Sequence, residues 1–258
     1  MTVISPEPRL RRATARDAAS SRPRRRLVLA VAALAIAVAV AVFALGTGRG
    51  SVEWPTMVNA DGGLDASGPT VADPANAQAI PAPAPVQLAL YTDYTHPDSA
   101  RFASVNALVI QGLTQQGAVR ISLHPLAVSD DPRERGAAVR AGNAVTCVGE
   151  LSQKDLWAFH VGLLAMQPSE GFANLQNADL KALARDSGVQ QIDAVNTCIS
   201  QGRFGDWIES QSDAALAGGV GDQGTELDRM PLVLANGDAY TGRIDNSTEF
   251  RSFLDEHL

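Results

Sequence analysis

The sequence predicts an α/β domain that follows one transmembrane helix and a disordered linker. Three observations carry that prediction. Residues 27–45 form an unbroken apolar run. Residues 86–123 follow the pattern of a strand, a helix and a second strand. Pro231-Leu232-Val233-Leu234-Ala235, directly before Asn236-Gly237, matches a strand entering a tight hairpin. A long stretch of helical spacing lies between the last two. The expected order is β-α-β, a helical block, a β-hairpin and a final helix.

The chain has 258 residues, 45% of them hydrophobic, enough for one core and too few for two large enzymatic domains. Aromatics make up only 5%, so the core should be built from Ala, Leu and Val with few large anchors. The net charge of -7 is unevenly spread. Residues 1–26 hold eight arginines against Glu7 and Asp17, a net of +6, which leaves -13 for the remainder. An acidic body excludes a nucleic-acid partner for it. Two cysteines exclude a Cys₄ zinc site and a multi-disulfide mini-protein, and four scattered histidines argue against a His-cluster metal centre.

Leu27–Leu45 contains no polar side chain. At about 1.5 Å per residue the run spans roughly 28 Å, close to the hydrocarbon thickness of a bilayer. Arg22, Arg24, Arg25 and Arg26 precede it and only Arg49 closely follows, so the positive-inside rule places the N-terminus in the cytoplasm and the rest outside. A cleaved signal peptide is the alternative. Ala44 and Gly46 have suitable spacing, and Arg24-Arg25-Arg26 loosely fits a twin-arginine signal, but the apolar run is longer than a usual secretory core. Residues 1–26 are expected to be a cytoplasmic basic tail and 46–85 a Pro/Gly/Ala-rich linker ending in Pro81-Ala82-Pro83-Ala84-Pro85, a semi-rigid polyproline segment. Trp54 suits either an interfacial anchor or a solvated linker position.

The exported domain is expected over 86–258. Val86–Tyr91 is a short apolar strand, and Thr92–Ser99 a turn. Phe102, Val105, Val109 and Leu113 mark one helix face, with Pro97 and Asp98 suited to its first turn and Gly117 to its end. Val119–Leu123 alternates as a second strand, parallel to the first across a right-handed crossover. Helical spacing covers roughly 133–150, 152–166, 179–186, 190–202 and 204–217, with breaks at Gln167-Pro168-Ser169 and Ser187-Gly188, giving an insertion over about 130–220. Ala239–Gly242 returns from the hairpin. Ser247 or Asn246 caps a last helix that buries Phe250, Phe253 and Leu254.

This order resembles the thioredoxin fold with a helical insertion, as found in the DsbA-like family of exported thiol–disulfide oxidoreductases. Tyr91-Thr92-Asp93-Tyr94-Thr95-His96-Pro97-Asp98-Ser99-Ala100-Arg101-Phe102 is similar to the family's strand, C-P-x-C motif and helix. Val119–Ala127 is similar to its second strand with a Pro-Leu tail. Met230-Pro231-Leu232-Val233 with Asn236-Gly237 is similar to its cis-proline strand and turn, with Met in place of the usual Thr. The resemblance covers about 86–258. It departs at one place: C-P-x-C falls on His96-Pro97-Asp98-Ser99, where neither cysteine is present. Thiol–disulfide exchange needs an attacking thiolate and a second, resolving thiol, and a helix N-terminus favours the thiolate. Neither His96 nor Ser99 carries sulfur, so this position is expected to be redox-inactive.

Cys147 and Cys198 lie in two helical stretches of the insertion. The resemblance implies a second, structural disulfide between them, suited to an oxidising compartment. A relocated redox pair and two unpaired thiols are the alternatives. Asp93, His96 and Asp98 lie within six residues, but turn and capping roles account for both aspartates without a metal. His96 and Ser99 at i, i+3 could form a base and a nucleophile, yet no oxyanion donor or orienting carboxylate accompanies them. His124 is read as structural, Trp157, Phe159 and His160 as core plus one exposed face, and Trp207 near Phe204 as core.

The resulting expectation is a membrane-tethered, extracytoplasmic, non-catalytic module that binds or scaffolds an exported polypeptide or a membrane protein. Met230 and Pro231 would offer backbone to an added strand. The alternative is a thiol–disulfide oxidoreductase or isomerase acting through Cys147/Cys198. A purely structural, dimer-forming role is the third reading. No cofactor and no metal are expected.

Overall fold

A computed structural model of the chain describes residues 52–67, 86–167 and 174–258. The expected tail over 1–26 and span over 27–45 lie outside the described residues, as do 68–85 and the break at Pro168-Ser169. Among the described residues no helix is long and apolar enough to cross a membrane.

Five strands form one sheet in the order β1-β3-β2-β4-β5. At its centre β2 (Val86–Asp93) runs parallel to β3 (Val119–Leu126), in register from Val86↔Val119 to Asp93↔Leu126. Both strands extend past their expected ends, at Tyr91 and Leu123. In β3 this carries the strand through Pro125. β1 (Leu64–Asp65) flanks β3 only at Ser122 and Leu123, so Pro125 lies where one edge is open and a missing N–H is tolerated. On the other side β4 (Leu232–Ala235) pairs antiparallel with β2, and β5 (Asp238–Ala239) with β4. Asn236 and Gly237 turn the hairpin with φ of 51° and 94°, the left-handed pair that a two-residue turn requires.

The linker expected over 46–85 is corrected across 52–67. This segment is folded, and its strand β1 pairs antiparallel with β3, Leu64↔Leu123. Leu64 is fully buried. Gly63 makes the approach possible, because a Cβ there would overlap Ser122 Oγ and the His124 ring. Trp54 is 56% exposed, and its ring meets Trp207 edge-on at 6.4 Å.

α1 (Pro97–Gln115) follows β2 directly. Its buried stripe is Phe102, Ala103, Asn106, Ala107, Ile110 and Leu113, while Val105 and Val109 are only half-buried. The expected face is thus rotated by about one residue, because α1 packs on the sheet and on helices at both flanks. α2 (Pro132–Ser152) is capped by Asp131, whose side chain accepts from Arg133 N at 2.8 Å. Ala137, Ala138, Ala141 and Ala144 are all fully buried along it. These small side chains let other helices approach closely, and a Cβ at Gly142 would crowd Ile208. A 3₁₀ turn at Gln153–Asp155 separates α2 from α3 (Leu156–Ala165). Then come α4 (Asn177–Asp186), α5 (Ile192–Gln201) and α6 (Gly205–Gly218). The final helix, α7 (Ser247–Asp255), is capped by Asn246, which accepts from Glu249 N. It buries Phe250 and Leu254 completely and leaves Phe253 half-buried. Trp207, Tyr94, Phe159, Phe204 and Phe250 are the large anchors in a core otherwise made of aliphatic side chains.

Candidate functional site

The β2–α1 turn is held by Asp93, which is 1% exposed. Its Oδ1 accepts from Thr95 N at 2.8 Å and Thr95 Oγ1 at 2.6 Å, and its Oδ2 from Val128 N at 2.9 Å. That carboxylate fastens the turn to the segment after β3. His96 is the N-cap of α1, and its Nδ1 accepts from Asp98 N at 3.2 Å. Ser99 is buried, and its hydroxyl has no hydrogen-bond partner, so His96 and Ser99 do not form a base–nucleophile pair. Among the described residues no three His, Cys, Asp or Glu side chains are grouped to hold a metal.

The Met230–Pro231 peptide is cis. Pro231 lines a cavity of about 10 Å³ with Ser99, Thr92, Phe102, Trp157 and His160, room for about one water. The Met230 side chain is buried and packs with Tyr91, Leu126 and Leu232. His160 sits behind this cavity, stacked on Trp157 at 5.2 Å, its Nδ1 2.7 Å from the Tyr94 hydroxyl. Burial depresses the imidazole to about 3 and pushes the Tyr94 phenol up, so both are neutral and share one hydrogen bond. The sequence showed His160 only as part of a helix face. Its partner lies 66 residues away.

The sulfur lies elsewhere. Cys147 on α2 and Cys198 on α5 form a disulfide, S–S 2.00 Å with Cα atoms 5.9 Å apart, and no free cysteine remains. Cys147 is 0% and Cys198 3% exposed. Asn143, one turn before Cys147, donates to Ile199 O at 3.4 Å and accepts from Phe204 N at 2.8 Å, so it joins α2 to the end of α5 beside the bridge.

This bridge corrects three expectations. With the motif at His96-Pro97-Asp98-Ser99 replaced, the chain is expected to be redox-inactive and Cys147–Cys198 to be a structural disulfide only, yet this joined sulfur pair on α2 and α5 is itself a candidate redox couple. The description "redox-inactive" therefore does not hold for the chain. Nor does the reading of a non-catalytic binding or scaffold module, or of a non-enzyme, because each rests on the loss of the two motif cysteines and sets the Cys147–Cys198 pair aside as structural.

A further polar cluster went unread because Asp61 fell in the expected linker. Ser122 Oγ lies 3.0 Å from Asp61 Oδ1, and His124 Nε2 lies 3.2 Å from Ser122 Oγ and 3.6 Å from Asp61 Oδ2. Tyr91 stacks on His124 at 4.1 Å. Burial raises the Asp61 carboxyl, but the hydrogen bond and charge of His124, together with hydrogen bonds from Gly63 N and Ser122, outweigh it and hold the carboxyl near 2. Asp61 and Ser122 meet the same imidazole nitrogen. This is not a catalytic relay, in which the acid orients one nitrogen and the other serves the hydroxyl.

No family model matches the chain, and no curated protein sequence matches it. Solved structures do. The reduced disulfide bond oxidoreductase DsbG of Mycobacterium tuberculosis aligns with a TM-score of 0.56 at 24% identity, over 67% of this chain and 77% of its own. Oxidised BdbD of Bacillus subtilis gives 0.56 at 19%, over 67% and 88%. The thiol-disulfide oxidoreductase MdbA of Actinomyces oris gives 0.60 at 17%, over 81% and 93%. The chain has a thioredoxin-like fold with a helical insertion. At these identities the likeness is one of fold. Within that fold β2, α1 and the cis Met230–Pro231 peptide bring the helix start and the proline together, while the sulfur pair sits in the insertion.

Proposed function

We propose that the protein is a thiol–disulfide oxidoreductase whose redox couple is Cys147–Cys198. The cystine itself is the observation that carries this reading, on a fold otherwise met in structures named as disulfide oxidoreductases. Cys198 is the slightly more exposed of the two residues. A substrate thiolate attacks its Sγ, the S–S bond breaks, and Cys147 leaves as thiolate. The substrate's second thiolate then displaces Cys198 from the mixed disulfide. The substrate gains a disulfide, and two electrons pass to the protein, which ends as a dithiol. Because both sulfurs are buried, exchange proceeds from a state in which α2 and α5 have moved apart locally.

The setting belongs to the same proposal. Residues 27–45 anchor the chain as a single-pass helix, 1–26 stay in the cytoplasm, and the folded part works outside on exported polypeptides or membrane proteins that carry thiols.

The full chain in detergent micelles is mixed with a dithiol peptide, and peptide oxidation is followed by mass. One equivalent of peptide is expected to be oxidised per chain, with complete loss in Cys147→Ser and in Cys198→Ser. Oxidation no faster than in buffer alone overturns the proposal. The burial of both sulfurs favours a second reading of the pair, a structural cross-link between α2 and α5. Under that reading the serine variants lose stability but no activity.

A further inference from the structure

The helices joined by the disulfide are tied a second time, through the segment 52–57. Glu150 lies three residues after Cys147, on the same face of α2 one turn along. Its Oε2 accepts from Thr56 N at 2.8 Å and Met57 N at 3.3 Å, and its Oε1 from Thr56 Oγ1 at 2.6 Å. On the α5 side, Arg203 N donates to Cys198 O at 3.4 Å. The Arg203 side chain donates from Nε to Glu53 Oε1 at 2.6 Å. Pro55, between the two tie points, is buried, and Trp54 rests against Trp207. Asn143, Cys147 and Glu150 thus make three successive ties along one ridge of α2: to the α5–α6 turn, to α5, and to the 52–57 strap. Arg203 and Glu53 close the circuit.

These ties differ in strength. The disulfide is covalent and buried. The strap rests on the core through buried Pro55 and half-buried Val52, but its polar ties are mostly exposed hydrogen bonds and one exposed ion pair, which are individually weak and screened by salt. Glu53, by hydrogen bond and charge, and Glu150, by charge, both favour the charged guanidinium of Arg203, so all three side chains share one local field. The strap is therefore the part of the circuit that opens first.

We propose that Glu53 and Thr56, through Arg203 and Glu150, form a latch that closes the Cys147–Cys198 disulfide against thiols, and that the disulfide reacts when this latch is open. The inference deepens the redox reading of this pair and rests on it. The four side chains are positioning residues. None touches the reacting sulfurs, and they act by setting how often a thiolate reaches Cys198 Sγ.

The test is the rate at which dithiothreitol reduces the disulfide in the full, micelle-bound chain. Dithiothreitol is itself oxidised to its cyclic disulfide, and the freed protein thiols are trapped with a maleimide mass tag. Glu53→Gln/Thr56→Ala is expected to be reduced at least ten-fold faster than the native chain, and Arg203→Gln to show the same direction. Added sodium chloride should accelerate the native chain several-fold and the double variant hardly at all. Thr56→Ser in the Glu53 background should recover most of the protection. A purely structural role would act through global unfolding, so its rate would follow the urea dependence of complete unfolding. The latch instead predicts rates nearly flat in sub-denaturing urea. Equal rates in native and double-variant chains, or acceleration only in proportion to lost global stability, overturn the latch. Faster reduction of the variant without oxidation of any dithiol peptide by either form leaves the latch standing and removes the redox function. Peptide oxidation at equal rates by both forms removes the latch alone.

Discussion

The start of α1 and the α2–α5 bridge divide between them what sulfur exchange requires. The start of α1 has a helix N-terminus beside a cis-proline, the electrostatic setting that favours an anion, and holds a histidine cap and a buried serine. The bridge has the sulfur, inside a helical block with almost no surface of its own. Their difference teaches that two separate factors govern a cystine's reactivity. At a helix start the local field controls how much thiolate forms. In a buried bridge, access controls the rate, and the neighbours that move aside matter more than any shifted pKa.

The largest way to break this comparison is to remove the bridge. Cys147→Ser/Cys198→Ser is expected to lower stability by about 4 kcal/mol, from the chain-entropy account of a loop spanning 51 residues. The urea midpoint checks it, and a change within error would show that the bridge adds nothing to the fold.

Next comes the pocket behind the start of α1. His160 is held near 3 against an ordinary value of 6.5. Its folded-state pKa is lowered, so the unfolded chain takes up the proton first. Stability is then full above pH 6.5 and falls as pH drops from there toward 3. At pH 5 the loss should be about 2 kcal/mol. His160→Gln, which cannot titrate, should flatten that limb of a melting-temperature profile, and an unchanged slope would place the acid sensitivity elsewhere.

A smaller effect sits at the helix start itself. The Ser99 hydroxyl is buried without a partner, so Ser99→Ala should raise stability by about 1 kcal/mol, read by chemical denaturation. A loss instead would mean that a water occupies the neighbouring cavity and bonds to that hydroxyl.

The smallest effect is at Asp61. Its lowered carboxyl contributes stability that is present above about pH 3.8 and lost as pH falls toward 2. With 44% of the side chain exposed, solvent screening holds the contribution to less than about 1 kcal/mol. Asp61→Asn should differ from the native chain above pH 4 and converge with it near pH 2.

Much of the fold was legible because it is written locally. Alternation in Val119–Leu123, the Asn236-Gly237 turn and the caps around Pro97 and Asn246 place β3, the hairpin, α1 and α7 within a few residues of where they lie. The candidate site was less legible. Cys147 and Cys198 were visible as residues and their helices as periodic stretches, but local patterns left their pairing and role among several alternatives. β1 escaped notice because two strand residues in a polar, Gly-rich stretch carry no period. The same holds for Asp61 against His124, Glu150 against Thr56, and His160 against Tyr94, which join residues separated by 63, 94 and 66 positions.

Sequence alone determined the class of the domain, the order of its elements and the chemistry available to it, because spacing, turn residues and composition act over a few residues at a time. Tertiary structure alone decided that residues 52–67 fold back as an edge strand and strap, that both sulfurs are sealed inside the insertion, and that His160 is neutral. Each of these depends on which distant surfaces exclude water from one another, and burial is a property of the packed chain rather than of any segment.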